Sequence, residues 1–268
     1  MRRAAVVLGT LLLAVPAGSD VSPRFIRGLT YISYPNRHLV VAIDPKGREV
    51  WRRADLGDYP CAIWPMAAGG CVVGLRGSMV FLDRNGKTRR TVPSPGGAAL
   101  TTLKPAPGGG FAAGDTFNHT GTCLMTAEGA SKVRLPAEGR YMDLCVTPDG
   151  GIASVGYDKA LTFWDSTSRQ LNKIPLKGSG TSIHALRNGT YLITCYDAGC
   201  VLEVTRDGEV RWELPGLSHP LHAQRLRNGN TLVANFSGGK VIEVDRDGKT
   251  VWSYTGGGDG ARVAVREE

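Results

Sequence analysis

Leu186 to Trp212 reads LRNGTYLITCYDAGCVLEVTRDGEVRW, and Leu226 to Trp252 reads LRNGNTLVANFSGGKVIEVDRDGKTVW. The two stretches align without a gap at a spacing of 40 residues. A period of that size marks a repeat architecture, in which each unit buries its apolar faces only by stacking on its neighbours. Extending the register backward from Gly248 finds turn glycines at Gly208, Gly129, Gly86 and Gly47, with Ser168 in the remaining slot. The intervals from Gly47 onward are 39, 43, 39, 40 and 40 residues. A second turn marker lies 17 to 20 residues before each, at Gly229, Gly189, Gly150, Gly109, Gly69 and Gly28. Six units therefore cover nearly all of the chain after residue 20.

Each unit holds short runs rich in Val, Ile, Leu, Thr and Tyr, separated by turn residues such as Asn228-Gly229 and Asp247-Gly248. In the last unit the runs fall at about 221–227, 231–236, 240–245 and 249–254. No segment after residue 20 sustains a 3.6-residue apolar period between helix caps, which excludes a helical repeat. Four antiparallel strands in about 40 residues make one propeller blade. The expected fold is all-β, a six-bladed β-propeller of four-stranded antiparallel blades. Trp51, Trp212 and Trp252 each follow a turn marker by four residues and are expected to pack between blades. Ala261 to Val265 is expected to close the ring beside the strands that start near Gly28. The alternative is that residues 21–27 supply that strand.

Composition agrees with a globular chain. Of 268 residues, 42% are hydrophobic and 21% charged, which excludes disorder and a polytopic membrane protein. The 36 Gly and 15 Pro fit many short elements. The net charge of +8 is scattered without a run of five like charges, so the chain offers no specific nucleic-acid stripe. Residues 1–17 read as an export signal: Arg2-Arg3, an apolar run from Ala4 to Ala17, and small residues ahead of a cleavage point after Ala17. The run has 14 residues, short of a membrane span, so residues 18–268 are expected as a periplasmic or extracellular propeller with no span after processing. The six cysteines contain no CxxC pair, and Cys195 and Cys200 flank a hairpin turn as the best candidates for a disulfide.

The segments HAQRLRNGNTLVAN (His222 to Asn235) and VIEVDRDGKTVW (Val241 to Trp252) resemble the repeats of arylsulfotransferase-like and PQQ-like propellers. AIDPKGREVW (Ala42 to Trp51) is similar to the quinoprotein tryptophan motif AxDxxTGxxxW, one residue short and without its Thr. The quinoprotein resemblance implies eight blades, a calcium ion and adjacent cysteines. The chain has six units and no Cys-Cys pair, so no cofactor is expected. The arylsulfotransferase resemblance implies a histidine nucleophile in the funnel, for which His222 is the candidate. Because strand side chains alternate, Ser182, His184, His222 and Gln224 share an orientation toward the axis, with Arg225 placed to offset sulfate charge.

Six-bladed lactonases need several carboxylates and Asn around a channel metal. Asp44, Asp83, Asp165 and Asp245 instead recur at turns, where they cap local backbone. Asp143 alone approaches the channel, and one carboxylate is no metal site, so none is expected. The reading that follows is a non-catalytic binding or protein-interaction module, with His184, His222, Gln224 and Arg225 as ligand-binding candidates. The alternative is sulfate transfer through His222. The partner is expected to be a protein, glycan or small ligand at the channel mouth. Tyr59, Trp64, Asp115, Phe117, His119, Tyr157 and Tyr196 are further rim candidates, in part on a longer loop from Asp115 to Gly121.

Overall fold

The computed structural model describes residues 28–57, 59–106, 109–115, 121–136, 141–256 and 260–268. The expected export signal lies outside them. Among the described residues, twenty-four strands form six four-stranded antiparallel sheets. Blade I contains β1 (Thr30–Tyr34), β2 (Leu39–Ile43) and β3 (Glu49–Arg53). Blade II runs through β4 (Ala62–Pro65), β5 (Cys71–Gly74), β6 (Ser78–Leu82) and β7 (Thr88–Pro93). Blade III is β8 (Thr102–Ala106), β9 (Gly110–Asp115), β10 (Gly121–Met125) and β11 (Ser131–Arg134). Blade IV is β12 (Tyr141–Val146), β13 (Ile152–Gly156), β14 (Ala160–Trp164) and β15 (Gln170–Pro175). Blade V follows with β16 (Gly180–Ala185), β17 (Tyr191–Cys195), β18 (Cys200–Val204) and β19 (Val210–Leu214). Blade VI has β20 (Pro220–Arg225), β21 (Thr231–Asn235), β22 (Lys240–Val244) and β23 (Thr250–Tyr254). The last strand, β24 (Val263–Arg266), pairs antiparallel with β1 and supplies the inner strand of blade I. Closure therefore takes the C-terminal route.

The inner strands touch in the order β24, β4, β8, β12, β16, β20 and back to β24, so the ring is complete. The core is divided among the interfaces. Six buried clusters each join the facing sides of two neighbouring blades: Tyr31 and Val40 meet Ile63 and Val73, for example, and Leu192 and Val201 meet Ala223 and Val233. This arrangement hides both faces of every sheet and leaves only short outer edges.

The turn aspartates behave as local caps. Asp44, Asp83, Asp165 and Asp245 each accept backbone N–H groups two and four residues ahead. Thr126 fills the slot with its hydroxyl in blade III, and Thr205 accepts from Glu209 in blade V. The marker that follows must adopt a left-handed backbone, and Ser168 does so at φ 67° where its repeats use glycine. The outer tryptophans lie between blades. Trp51 Nε1 donates to the Arg84 carbonyl at 2.9 Å, and Trp212 Nε1 donates to that of Arg246 at 2.7 Å. Gly86 leaves room for Trp51: a Cβ there would come within 2.8 Å of the indole.

Candidate functional site in the central channel

Two tiers of inner-strand residues face the axis. Counting back from the turn markers Gly69, Gly109, Gly150, Gly189 and Gly229, the seventh residue gives Ala62, Thr102, Asp143, Ser182 and His222. The fifth gives Trp64, Lys104, Cys145, His184 and Gln224. The two-residue step puts both tiers on one side of their strands.

The tiers meet in a plug. His184 and His222 approach with Nε2 atoms 3.1 Å apart and rings at 90°. On its other side, His184 stacks on Trp64, which comes from the opposite blade, with ring centroids 5.7 Å apart. Beside this pair runs a buried ionic network. Lys104 Nζ donates to Asp143 Oδ2 and, at 2.6 Å, to the Ile183 carbonyl. The remaining acceptor positions of Asp143 receive Thr102 Oγ1, Leu144 N at 2.8 Å and Ile183 N at 2.8 Å. All four lone-pair positions of this carboxylate are thereby used, leaving none for a metal. No group of three or more potential metal ligands occurs among the described residues.

Burial sets the charge state of the imidazoles. Desolvation and the Lys104 ammonium push His184 well below the usual histidine range. His222 falls to about 3 through burial, Lys104 and Arg262, against the opposing pull of the Ala264 carbonyl. Both rings are neutral at pH 7, so one donates and the other accepts in the Nε2 contact. Burial also pushes the Cys145 thiol up to about 12, making it inert as a nucleophile.

The plug divides the channel. On the side where the inner strands begin, a cleft of about 360 Å3, counting its open mouth, is lined by Thr102, Lys104, Thr181, Ser182, His222 and Arg262 among others. On the side where they end, a bowl of about 1500 Å3 has Trp64, Pro65 and Met66 against Arg84, Arg227 and Glu267.

Of the four expected ligand-binding residues, the structure brings His184 and His222 together. Gln224 hydrogen-bonds both ways with the backbone of Arg266, tying blade VI to the closing strand. Arg225 lies between blades. Its Nη2 pairs with Glu203 at 2.9 Å, its Nη1 bonds Gly229 and Thr231, and its guanidinium stacks over Trp212 at 4.5 Å. Arg266 repeats this arrangement one blade later with Glu243 and Trp252. Arg225 is thus an inter-blade clamp held away from the histidines. Trp64 stands in the plug rather than on the rim. Tyr196 stacks on His219 at 4.6 Å, Tyr59 bonds Asn36 at 3.3 Å, and Tyr157 is exposed. The side chain of Asp115, together with Phe117 and His119, lies outside the described residues. Lys104 and Arg262 were not expected. For Lys104 the signal was available, because it shares the marker-minus-five register with His184. Cys195 and Cys200 stand directly opposite one another as thiols, whose mutual hydrogen bond raises the first and lowers the second.

The Glu203 clamp predicts an acid dependence. Burial works to raise this carboxyl, but hydrogen bonds from Arg246, Asn188 and Thr190 and the charge of Arg225 outweigh it and hold the group at about 2. A depressed folded pKa stabilises above the unfolded value near 4.5 and is lost as pH falls toward 2. Allowing for the half-exposed Arg246, about 2 kcal/mol is at stake. Urea denaturation at pH 7 and pH 3 should show Glu203→Gln less stable than the wild type by about that amount at pH 7, with the gap narrowed at pH 3.

Residues 36–266 match the family described as outer membrane protein assembly factor BamB. The chain belongs to that family. The match supports the PQQ-like part of the expected resemblance and leaves the arylsulfotransferase part without support. No curated protein matches this BamB-family chain. Solved structures share its fold. A Bacteroides caccae protein of unknown function superposes with TM-score 0.74 at 15% identity, over 90% of this chain and 99% of the other. The WD40 propeller domain of Doa1 gives 0.64 at 12% identity, over 89% and 88%. Virginiamycin B lyase from Staphylococcus aureus gives 0.56 at 14% identity, over 73% and 69%. At these identities the likeness concerns architecture alone. No helix among the described residues is long and apolar enough to cross a membrane.

Proposed function

We propose that this BamB-family propeller is an exported, non-catalytic binding or interaction module that engages its partner at the mouth of the central channel. The observation that supports this reading is the state of the channel groups. The only buried carboxylate of the two tiers is saturated by its neighbours, the two histidines are occupied with each other, and Arg225 is committed to a blade interface. A nucleophile, a base and a charge-stabilising group free to meet one substrate do not coincide there. What stays open is a narrow polar cleft on one side, sized for a small group, and a larger bowl on the other, suited to holding a protein loop, a glycan or a small ligand.

The convergence of His184 and His222 is the one feature that favours sulfate transfer instead. A neutral His222 would attack sulfur, and an adjacent cation would offset the charge. An assay with p-nitrophenyl sulfate as donor and phenol as acceptor separates the two readings. The expected outcome is the same background rate for the wild type and His222→Ala. Turnover that disappears in His222→Ala overturns the binding-only reading.

A further inference from the structure

The cleft above the plug carries three observations that the binding reading leaves unused. First, His222 is 5% exposed and lines the cleft, and its Nδ1 makes no well-aligned hydrogen bond, feeling only the off-line pull of the Ala264 carbonyl. A buried polar nitrogen that is poorly satisfied is costly, and a ligand atom in line with it would recover that cost. The Ala264 carbonyl can only accept, which favours the proton of His222 on Nδ1; the ring then accepts from His184 at Nε2 and offers a donor at Nδ1. Second, Arg262 lines the same cleft, half-buried, with no hydrogen bond or ion pair from its guanidinium among the described residues. Most other arginines on this molecule's blade interfaces are matched to carboxylates, as Arg84, Arg225 and Arg266 are. Third, Lys104 uses two of its three ammonium protons, on Asp143 and the Ile183 carbonyl, and lines the cleft with the third to spare.

Charge and size then choose the ligand. Lys104 and Asp143 cancel, so Arg262 leaves the cleft with one net positive charge. A monoanion matches that charge, whereas a dianion would set a surplus negative charge beside the Asp143 carboxylate. The interior has room for only about one or two waters, enough for a planar anionic head and too little for a sugar ring. A guanidinium presents a flat fork that matches a carboxylate with two parallel bonds. The hydroxyl of Thr181, from β16, stands at the same mouth and shares its single proton between the Thr194 and Pro220 carbonyls, so its lone pairs remain to take a proton from a ligand hydroxyl or amide.

We infer that the cleft is a binding site for the carboxylate end of a small organic acid or chain terminus, held by Arg262 and His222 Nδ1 beneath the channel mouth. The inference rests on the binding reading and narrows it to a ligand class. Isothermal titration with acetate and benzoate, at constant ionic strength set with chloride, tests it. The expected result is saturable one-to-one binding, weakened at least tenfold in Arg262→Gln through loss of the charged bonds. His222→Asn keeps a donor near the Nδ1 position and should bind within about threefold of wild type, whereas His222→Gln moves the donor and should lose about tenfold. That contrast separates a ligand contact from a folding defect, and circular dichroism of each variant checks the fold. Absence of saturable carboxylate binding overturns the inference, as does binding that Arg262→Gln leaves unchanged, or sulfate binding more tightly than acetate. Those results leave the broader binding reading standing, since that reading falls only to His222-dependent turnover.

Discussion

Deletion of residues 261–268 is expected to abolish the cooperative unfolding transition of the whole molecule. Those residues form β24, which is paired with β1 from Thr30↔Arg266 to Ser33↔Val263. Val263, Ala264 and Val265 are buried, and each valine contributes about 1.5–3 kcal/mol of burial. Arg266 pairs with Glu243 in blade VI, and Glu267 pairs with Arg84 in blade II and accepts from the Tyr31 hydroxyl. One short strand therefore holds blade I to both neighbours. Its loss removes interactions comparable to the whole stability of an ordinary domain, about 5–15 kcal/mol. It also exposes the inner edge of β1 to the channel with no partner. Far-ultraviolet circular dichroism and calorimetry should show a broad, non-cooperative melt and a protein prone to aggregate. Removing only Glu267 and Glu268 keeps β24 and should lower stability by about 1–3 kcal/mol while leaving a single sharp transition. A sharp transition of near-normal midpoint in the longer deletion would show that the ring closes by other means.

The second large effect is expected at Asp143. Truncation by Asp143→Ala strands the Lys104 ammonium, 5% exposed, and leaves Thr102, Leu144 N and Ile183 N without their acceptor. Breaking one side of a buried pair costs about 3–5 kcal/mol, because the remaining charge stays desolvated. Equilibrium urea denaturation should report a loss of that size. Replacing both partners, as Lys104→Met with Asp143→Leu, removes the stranded charge and should recover a good part of the loss, though the three orphaned neutral donors remain. If the double variant is as unstable as Asp143→Ala, the pair is a minor contributor and the backbone donors dominate. The distinction matters for the channel. Asp143 joins β8, β12 and β16, so it fixes how three blades present Lys104 and His184 at the axis.

The architecture was legible because it rests on local chemistry repeated at one interval. Every left-handed turn demands glycine or a tolerant substitute, and every cap demands Asp or Thr, so the period survives in the letters even where Ser168 replaces glycine. The last unit's runs at 221–227, 231–236, 240–245 and 249–254 correspond to β20 to β23 within one or two residues. The site was legible only in part. Side-chain alternation brought His184 and His222 to the axis, but it could not place Arg225, one residue out of that register, which turns instead to Glu203. Lys104 stood in the same register as His184 but in a unit whose letters had drifted from the pattern, and Trp64 was placed on the rim rather than at the axis. What brings them to the plug is the ring, which carries Trp64 of blade II across the axis to His184 of blade V. A repeat read one unit at a time contains no statement about which blade faces which.

Thr30 and Arg266 are partners on adjacent strands, yet 236 residues separate them along the chain. Blade I therefore cannot be finished before β24 has been made: its innermost strand is the last of the ring to emerge. Until then the nascent polypeptide holds partial blades with no circle to close. A chain assembled in this order closes its circle in one late step. Such distant pairing also places it among slow folders, whose rate is limited by the search for that meeting of ends.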